Sequence, residues 1–217
     1  MVGIGPGGPL DRTRRAEEAI AKSSVVAGYT RYPFPANTIP AVPFDAAARA
    51  PAARDPGRYA ASLLGTVLGD DSGSRLYWEL VDPGLAEHAE MSHCEYEGAG
   101  AFITYMSCMP EEAAGNLQRI FEVYRRVQAE GVTRSELEQA KSKWRSRIVL
   151  SGERPRGRLR AIGADWLYRR EYRSVEDDLD TVAAVTVDDV AAILAKYPLN
   201  GAATITIGPL KEVAEPK

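Results

Sequence analysis

Apolar side chains along the chain fall into blocks of two different periods. Tyr59, Leu63, Leu64, Val67 and Leu68 recur at three- and four-residue steps, the spacing that lines one side of an α-helix. Asp55-Pro56 precedes them. Aspartate is a favoured N-cap, and proline at the first helical position gives up a donor that would be orphaned anyway. Leu76, Tyr77 and Leu80 predict a further turn or two of helix, ending before Pro83-Gly84. The stretch Ala101-Phe-Ile-Thr-Tyr-Met106 is instead rich in strand formers. With Glu87 to Tyr96 before it and Glu97-Gly98 between, it predicts a β-hairpin. Pro110 opens a long helix whose Leu117, Ile120, Phe121, Tyr124 and Val127 face the core, and Gly131 ends it.

Three more helix starts are marked by capping boxes, in which a hydroxyl takes a backbone donor and an acid three residues on returns the favour. They are Thr133 with Glu136, Ser174 with Asp177, and Thr186 with Asp189. A good cap contributes about 1 kcal/mol, enough to fix a boundary. Ala202 to Ile207 alternates β-branched and small residues and predicts a closing strand. Prolines at positions 33, 35, 40, 43, 51 and 56 deny helix to the segment they span, with room for one strand over 40–48. Further upstream, Gly3 to Pro9 is rich in glycine and proline, Arg12 to Lys22 has a short helical pattern, and Val25 to Tyr29 reads as a strand. The expected organisation is an arm over residues 1–38, an α+β domain over 39–210, and a tail over 211–217. The domain should hold a mixed, largely antiparallel sheet with helices packed on one face.

Composition narrows the function. The chain has 217 residues, 45% hydrophobic and 26% charged, with a formal net charge of −3. A nucleic-acid binder would carry a basic excess on one face, and none is expected here. Two cysteines, Cys94 and Cys108, are too few for a disulfide framework, which points to a cytoplasmic setting. No apolar run reaches the length of a membrane span, and the first residues do not form a secretory signal, so no membrane partner is expected.

Candidate chemistry is thin. The histidines are His88 and His93, five apart on a segment that reads as a strand, so their side chains point to opposite faces and cannot share an ion. A helical metal motif would place them four apart. His88 and Cys108 could approach across the hairpin, yet two ligands fall short of the three or four that zinc takes. Ser72 and Ser74 lie in a turn between helices and Ser151 precedes Gly152, without the elbow that exposes a nucleophilic serine. Arg145, Arg147, Arg154, Arg156, Arg158 and Arg160 lie between two helices and could receive an anionic group or a partner, although solvated helical faces carry such runs too. Val2-Gly-Ile-Gly-Pro-Gly-Gly-Pro9 could cradle a phosphate-like group only if a strand preceded it.

Two stretches resemble known families. Ala50-Pro-Ala-Ala-Arg-Asp-Pro56, Leu68-Gly-Asp-Asp-Ser-Gly-Ser-Arg-Leu-Tyr77, Gly84-Leu-Ala86, Gly131-Val-Thr-Arg-Ser-Glu-Leu-Glu-Gln-Ala-Lys141 and Val185-Thr-Val-Asp-Asp-Val190 follow one another in register. Over about residues 42–209 they resemble the C-terminal, non-zinc half of the insulinase/pitrilysin-type metallopeptidases. The resemblance implies a sheet backed by helices and a second half that brings His-x-x-Glu-His and its zinc. It also implies that the two halves close around a peptide. Many such C-terminal halves supply an arginine and a tyrosine near the site; here Val81 and Glu87 stand in those places, and Arg75 and Tyr77 lie earlier. Separately, residues 2–32, with Arg15-Ala-Glu-Glu-Ala-Ile20 and Val25-Val-Ala-Gly-Tyr-Thr-Arg-Tyr32 after the glycine-rich turn, resemble the start of a tetrapyrrole (cobalamin-precursor) methyltransferase.

The expectation is therefore a non-catalytic partner domain with no catalytic, metal-ligating or cofactor-binding residues of its own. Zinc is expected in the partner half. Its partners would be a zinc-bearing half or a second copy of the chain, and a peptide substrate. Contact is expected at Arg75, Tyr77, Arg154, Arg156 and Arg158. The alternatives are a fragment of an S-adenosylmethionine-dependent methyltransferase and a pure protein-interaction module.

Overall fold

Alternation of buried and half-buried residues along one strand sets the orientation of the sheet. The computed structural model describes residues 42–209 and 213. Strands β1 (Val42–Ala50), β2 (His88–Glu95), β3 (Gly100–Cys108) and β4 (Ala203–Thr206) form one sheet in the order β2-β3-β1-β4, and each ladder is antiparallel. On β3, Phe102, Thr104, Met106 and Cys108 are buried while the residues between them are half-exposed. Phe102 pairs with Ala48 on one side and with His93 on the other, so these three share the inner face with Ala89 and Met91. The expected hairpin and closing strand are present, and the strand expected over 40–48 is a central one, β1, paired with β3 on one side and β4 on the other.

Helices α1 (Arg58–Gly69), α2 (Ala113–Glu130), α3 (Arg134–Glu153), α5 (Val175–Ala184) and α6 (Val187–Lys196) start close to where the sequence predicts, whereas α4 (Pro155–Arg169) is a helix the sequence does not predict. All three capping boxes form, at Thr133/Glu136, Ser174/Asp177 and Thr186/Asp189. Gly131 ends α2 at a φ of 73°, a conformation that favours glycine. The helix read from Leu76 to Leu80 is a π-helical turn, Tyr77–Val81, with Leu76 and Leu80 fully buried. Two details differ from expectation. Helix α1 starts at Arg58 rather than Pro56, because Asp55 closes a turn of its own: its Oδ1 accepts from the Gly57 N–H at 2.8 Å. The arginine-rich stretch is not a connection: Arg145 and Arg147 belong to α3 and Arg156, Arg158 and Arg160 to α4, with Arg154 alone at the junction. Pro155 sits at the first position of α4, where it costs no hydrogen bond, so the chain bends there and continues helical.

Close packing fixes α1 against the sheet. Tyr59, Leu63, Leu64, Val67 and Leu68 are buried as their spacing predicts. Gly65 and Gly69 bring the helix backbone onto β2, and a Cβ at Gly69 would lie 2.0 Å from the Met91 nitrogen. From α2, the buried Tyr124 hydroxyl shares a hydrogen bond with Thr104 of β3. From α3, Trp144 Nε1 donates to Thr66 Oγ1 of α1 at 2.8 Å. By contrast, Asp165 is the one buried residue of α4. Among the described residues, no helix is long and apolar enough to cross a membrane. The arm read over residues 1–38, and all of the 211–217 tail except Val213, lie outside the described residues.

Candidate functional site

The two histidines do opposite things. His88 pairs with Ser107 on the outer face of the sheet, where its Nε2 stands 3.3 Å from Glu90 Oε2 and its ring packs beside Tyr105. His93 faces inward beside Phe102. Its Nε2 lies 2.8 Å from the Pro51 carbonyl, which can only accept, so Nε2 carries the proton. Burial lowers the ring pKa and keeps it neutral, so Nδ1 is the bare nitrogen and Ser62 donates to it at 3.0 Å. This is a serine–imidazole contact of the kind that activates a nucleophile. Ser62, however, sits inside α1, where neighbouring amides are spent on the helix rather than free to receive an oxyanion. The contact fastens α1 to β2.

The sheet register also separates the other candidate metal ligands. His88 opposes Ser107, so Cys108 lies on the opposite, buried face. Burial is the main cause that pushes the Cys108 thiol pKa up. Among the described residues, no group of three or more His, Cys, Asp or Glu side chains is placed to hold a metal ion. The donor set does not fit a zinc site.

The five expected contact residues lie in different settings. Arg75 is half-buried and gripped by Glu136, Nε to Oε1 at 2.7 Å, while its Nη2 donates to the Gly131 carbonyl at 2.9 Å. Tyr77 stands edge-on to the exposed Trp78, ring centroids 5.0 Å apart. Arg154 and Arg156 are exposed at the start of α4. Arg158 donates to the Tyr172 hydroxyl at 2.9 Å and to the Arg173 carbonyl at 2.7 Å. Where the resemblance would have an arginine and a tyrosine, Val81 packs against the core and Glu87 accepts from Ser107 Oγ at 3.2 Å.

Two clefts were not foreseen from the sequence. A cleft of about 310 Å³ runs between α1, β2 and α3 and contains Ser62, His93 and Asp70. Asp70 follows the last residue of α1, and its buried carboxylate receives both Lys143 and Arg147. Burial would raise its pKa, but those two cations outweigh the burial and hold it below the usual range. The second cleft, about 500 Å³, is walled by Arg54, Arg58, Arg169, Arg170 and Arg173 around Tyr59. Its signal in the sequence is the basic run Arg169-Arg-Glu-Tyr-Arg173. Burial and the Asp178 contact together raise the Tyr59 pKa to about 12, so its hydroxyl keeps its proton.

Comparison with known proteins places this arrangement. Residues 42–143 match the family described as the peptidase M16 inactive domain. An uncharacterized zinc protease of Mycobacterium leprae is 34% identical over 137 residues, 63% of this chain and 31% of that protein. One of Streptomyces coelicolor is 30% identical over 159 residues, 73% of this chain and 35% of that protein. The chain thus spans about a third of the length of the curated relatives it matches. In fold, it is similar to a peptidase M16 inactive domain from Pseudomonas fluorescens, with a TM-score of 0.70 at 22% identity over 95% of this chain and 53% of that one. It is likewise similar to a protease from Helicobacter pylori, TM-score 0.70 at 19% identity, over 80% of this chain and 42% of that one. The family match begins at residue 42, which favours the peptidase-like reading over the methyltransferase alternative; residues 2–32 lie outside the described residues. Residues 42–143 are therefore similar in sequence to the peptidase M16 inactive domain, and the described domain shares the fold of such domains.

Proposed function

We propose that this domain is the non-catalytic half of a zinc peptidase: it docks on a zinc-bearing half and helps enclose the peptide that the other half cleaves. Beside the family, one observation carries the docking part. Helix α4 leaves Leu159 72% exposed and Trp166 56% exposed. They are seven residues apart, two helical turns, and so share a face. Leu150, Leu167 and Tyr172 are exposed as well, and so are Arg154 and Arg156 at the start of α4. Aromatic, leucine and arginine side chains exposed together are the composition of an interface rather than of a free surface. Of the residues expected to make contact, Arg154 and Arg156 are free to do so, Arg158 stiffens the same edge through Tyr172, and Arg75 and Tyr77 contribute by holding their own loop.

The zinc belongs to the other half in this reading, because the histidines and thiols of this chain point apart. We place the pair in the cytoplasm on the strength of two free thiols, Cys94 and Cys108. The test mixes the purified chain with a chain bearing His-x-x-Glu-His from a neighbouring reading frame, and measures mass by light scattering after size exclusion. A one-to-one complex that is lost with Leu159→Lys/Trp166→Lys supports the proposal. A complex that survives both substitutions, or a chain that pairs with itself instead, contradicts it.

A further inference from the structure

Helix α4 sorts its residues into two sides at helical spacing. Arg156, Leu159, Arg160, Gly163, Trp166 and Leu167 recur at steps of three and four, and all are exposed. Arg158, Ala161, Ile162, Asp165 and Arg169 fall on the other side, half-buried or buried. The outward side therefore holds arginine, leucine, tryptophan and one glycine, and no acid. From Arg154 to Arg170 the one acid is Asp165, which is buried and paired with Arg169. Arg158 is taken up by the Tyr172 hydroxyl and the Arg173 carbonyl. Arg154, Arg156 and Arg160 have no side-chain hydrogen bond or ion pair among the described residues. The positive end of the helix dipole adds to their charge: α5 and α6 place acids in their first turns, and α4 has none there. Carboxylates from outside the domain would offset that potential.

We infer that the groove of the zinc-bearing half that receives α4 is apolar along its floor and carries carboxylates where the first turns of α4 meet it. Leu159, Trp166 and Leu167 fill the floor, and Arg154, Arg156 and Arg160 pair with the acids. The inference rests on the docking proposed above and adds the chemistry of the receiving surface. A helix that lies on a membrane keeps its cations on the side opposite its apolar one. In α4 the two kinds share one side, which suits a helix laid into a protein groove. A guanidinium meets a carboxylate with two parallel hydrogen bonds, so arginine fits such a groove better than lysine. Complementary charge of this kind fixes register and speeds encounter, and it leaves an affinity that salt weakens.

Titration calorimetry of the full chain against a chain bearing His-x-x-Glu-His tests this, at about 50 mM and about 300 mM salt. Affinity should fall several-fold at the higher salt. Arg156→Gln/Arg160→Gln should weaken the complex by about tenfold or more and flatten its salt dependence, while Arg156→Lys/Arg160→Lys keeps the salt dependence. Both arginines are exposed and unpaired, so the thermal midpoint of the glutamine variant should stay within about 2 °C of the parent. Arg119→Gln, on α2, should leave binding unchanged. A complex that ignores salt and the glutamine variant, yet is lost with Leu159→Lys/Trp166→Lys, overturns this inference and leaves the docking proposal standing. No complex with the parent chain removes both. Vesicles of phosphatidylcholine and phosphatidylserine in equal parts serve as a second probe. Vesicle binding at least as tight as the complex, and lost with the glutamine variant, would assign α4 to a membrane and overturn the inference as well.

Discussion

Arg75 and Glu136 form a two-pronged ion pair, Nε to Oε1 at 2.7 Å and Nη2 to Oε2 at 3.0 Å, that fastens the loop after α1 to the first turn of α3. The same carboxylate accepts from the Thr133 N–H at 2.8 Å and so completes the capping box. One side chain thus performs a local task and a long-range one. Glu136→Ala should lower stability by about 2–3 kcal/mol, since it removes a cap and strands a half-buried guanidinium. For a domain of this size that is a fall of roughly 4–10 °C in thermal midpoint, read by circular dichroism. Glu136→Gln should cost less, because an amide still serves the cap. Equal midpoints for the parent and the alanine variant would contradict this account.

Acid should unfold the domain in two stages, and the signs agree. Burial lowers the His93 pKa, so the unfolded chain takes up that proton first, and stability present above about pH 6.5 is lost as pH falls below it. At Glu136, burial acts to raise the pKa, but Arg75 and the Thr133 bonds outweigh it and hold the carboxyl at about 2. Its contribution is complete above the ordinary value of 4.5 and is lost between there and about 2. After discounting for solvent at this half-exposed pair, that second loss is about 1–2 kcal/mol. Urea midpoints measured from pH 8 to pH 3 should fall through both windows. Removal of the imidazole in His93→Gln should flatten the upper one and leave the lower one.

The contact between α1 and β2 makes a sharper steric prediction. A Cβ at Gly69 would sit 2.0 Å from the Met91 nitrogen, which is backbone and cannot swing aside. At Gly65 the nearest atom would be the His93 nitrogen at 3.4 Å, ordinary contact. Gly69→Ala should therefore cost about 2 kcal/mol or more despite the helix propensity gained, whereas Gly65→Ala should be neutral or stabilising. Thermal melts of the two variants should separate widely; the reverse order would show that α1 does not lie where described.

Exposed apolar groups on α4 predict a dissociation between folding and assembly. Leu159→Lys/Trp166→Lys removes side chains that touch little of the core, so its thermal midpoint should stay within about 2 °C of the parent. A drop of 8 °C or more would place these side chains in the packing of the isolated domain instead.

Local signals carried most of the fold into the sequence. Each capping box needs only four consecutive residues, and Thr133/Glu136, Ser174/Asp177 and Thr186/Asp189 are all formed. The hairpin declared itself through Glu97-Gly98 and the strand formers after it. What stayed hidden depends on distant partners. Asp70 reads as a turn acid until Lys143 and Arg147 arrive from more than seventy residues along the chain. The arginine cleft joins Arg54 and Arg58 to Arg169, Arg170 and Arg173, segments that no periodicity connects. The helical state of Arg156 to Arg160 was missed for a different reason: α4 packs too little of any face to leave an apolar stripe in its pattern.

In the function proposed here, the domain brings no hydrolytic centre of its own. The most direct test is peptide cleavage by the purified chain, with added zinc and with chelator, alone and beside a zinc-bearing half. The account predicts no chelator-sensitive cleavage by the chain alone and a clear gain when the other half is present. Zinc-dependent cleavage by the chain alone would contradict it.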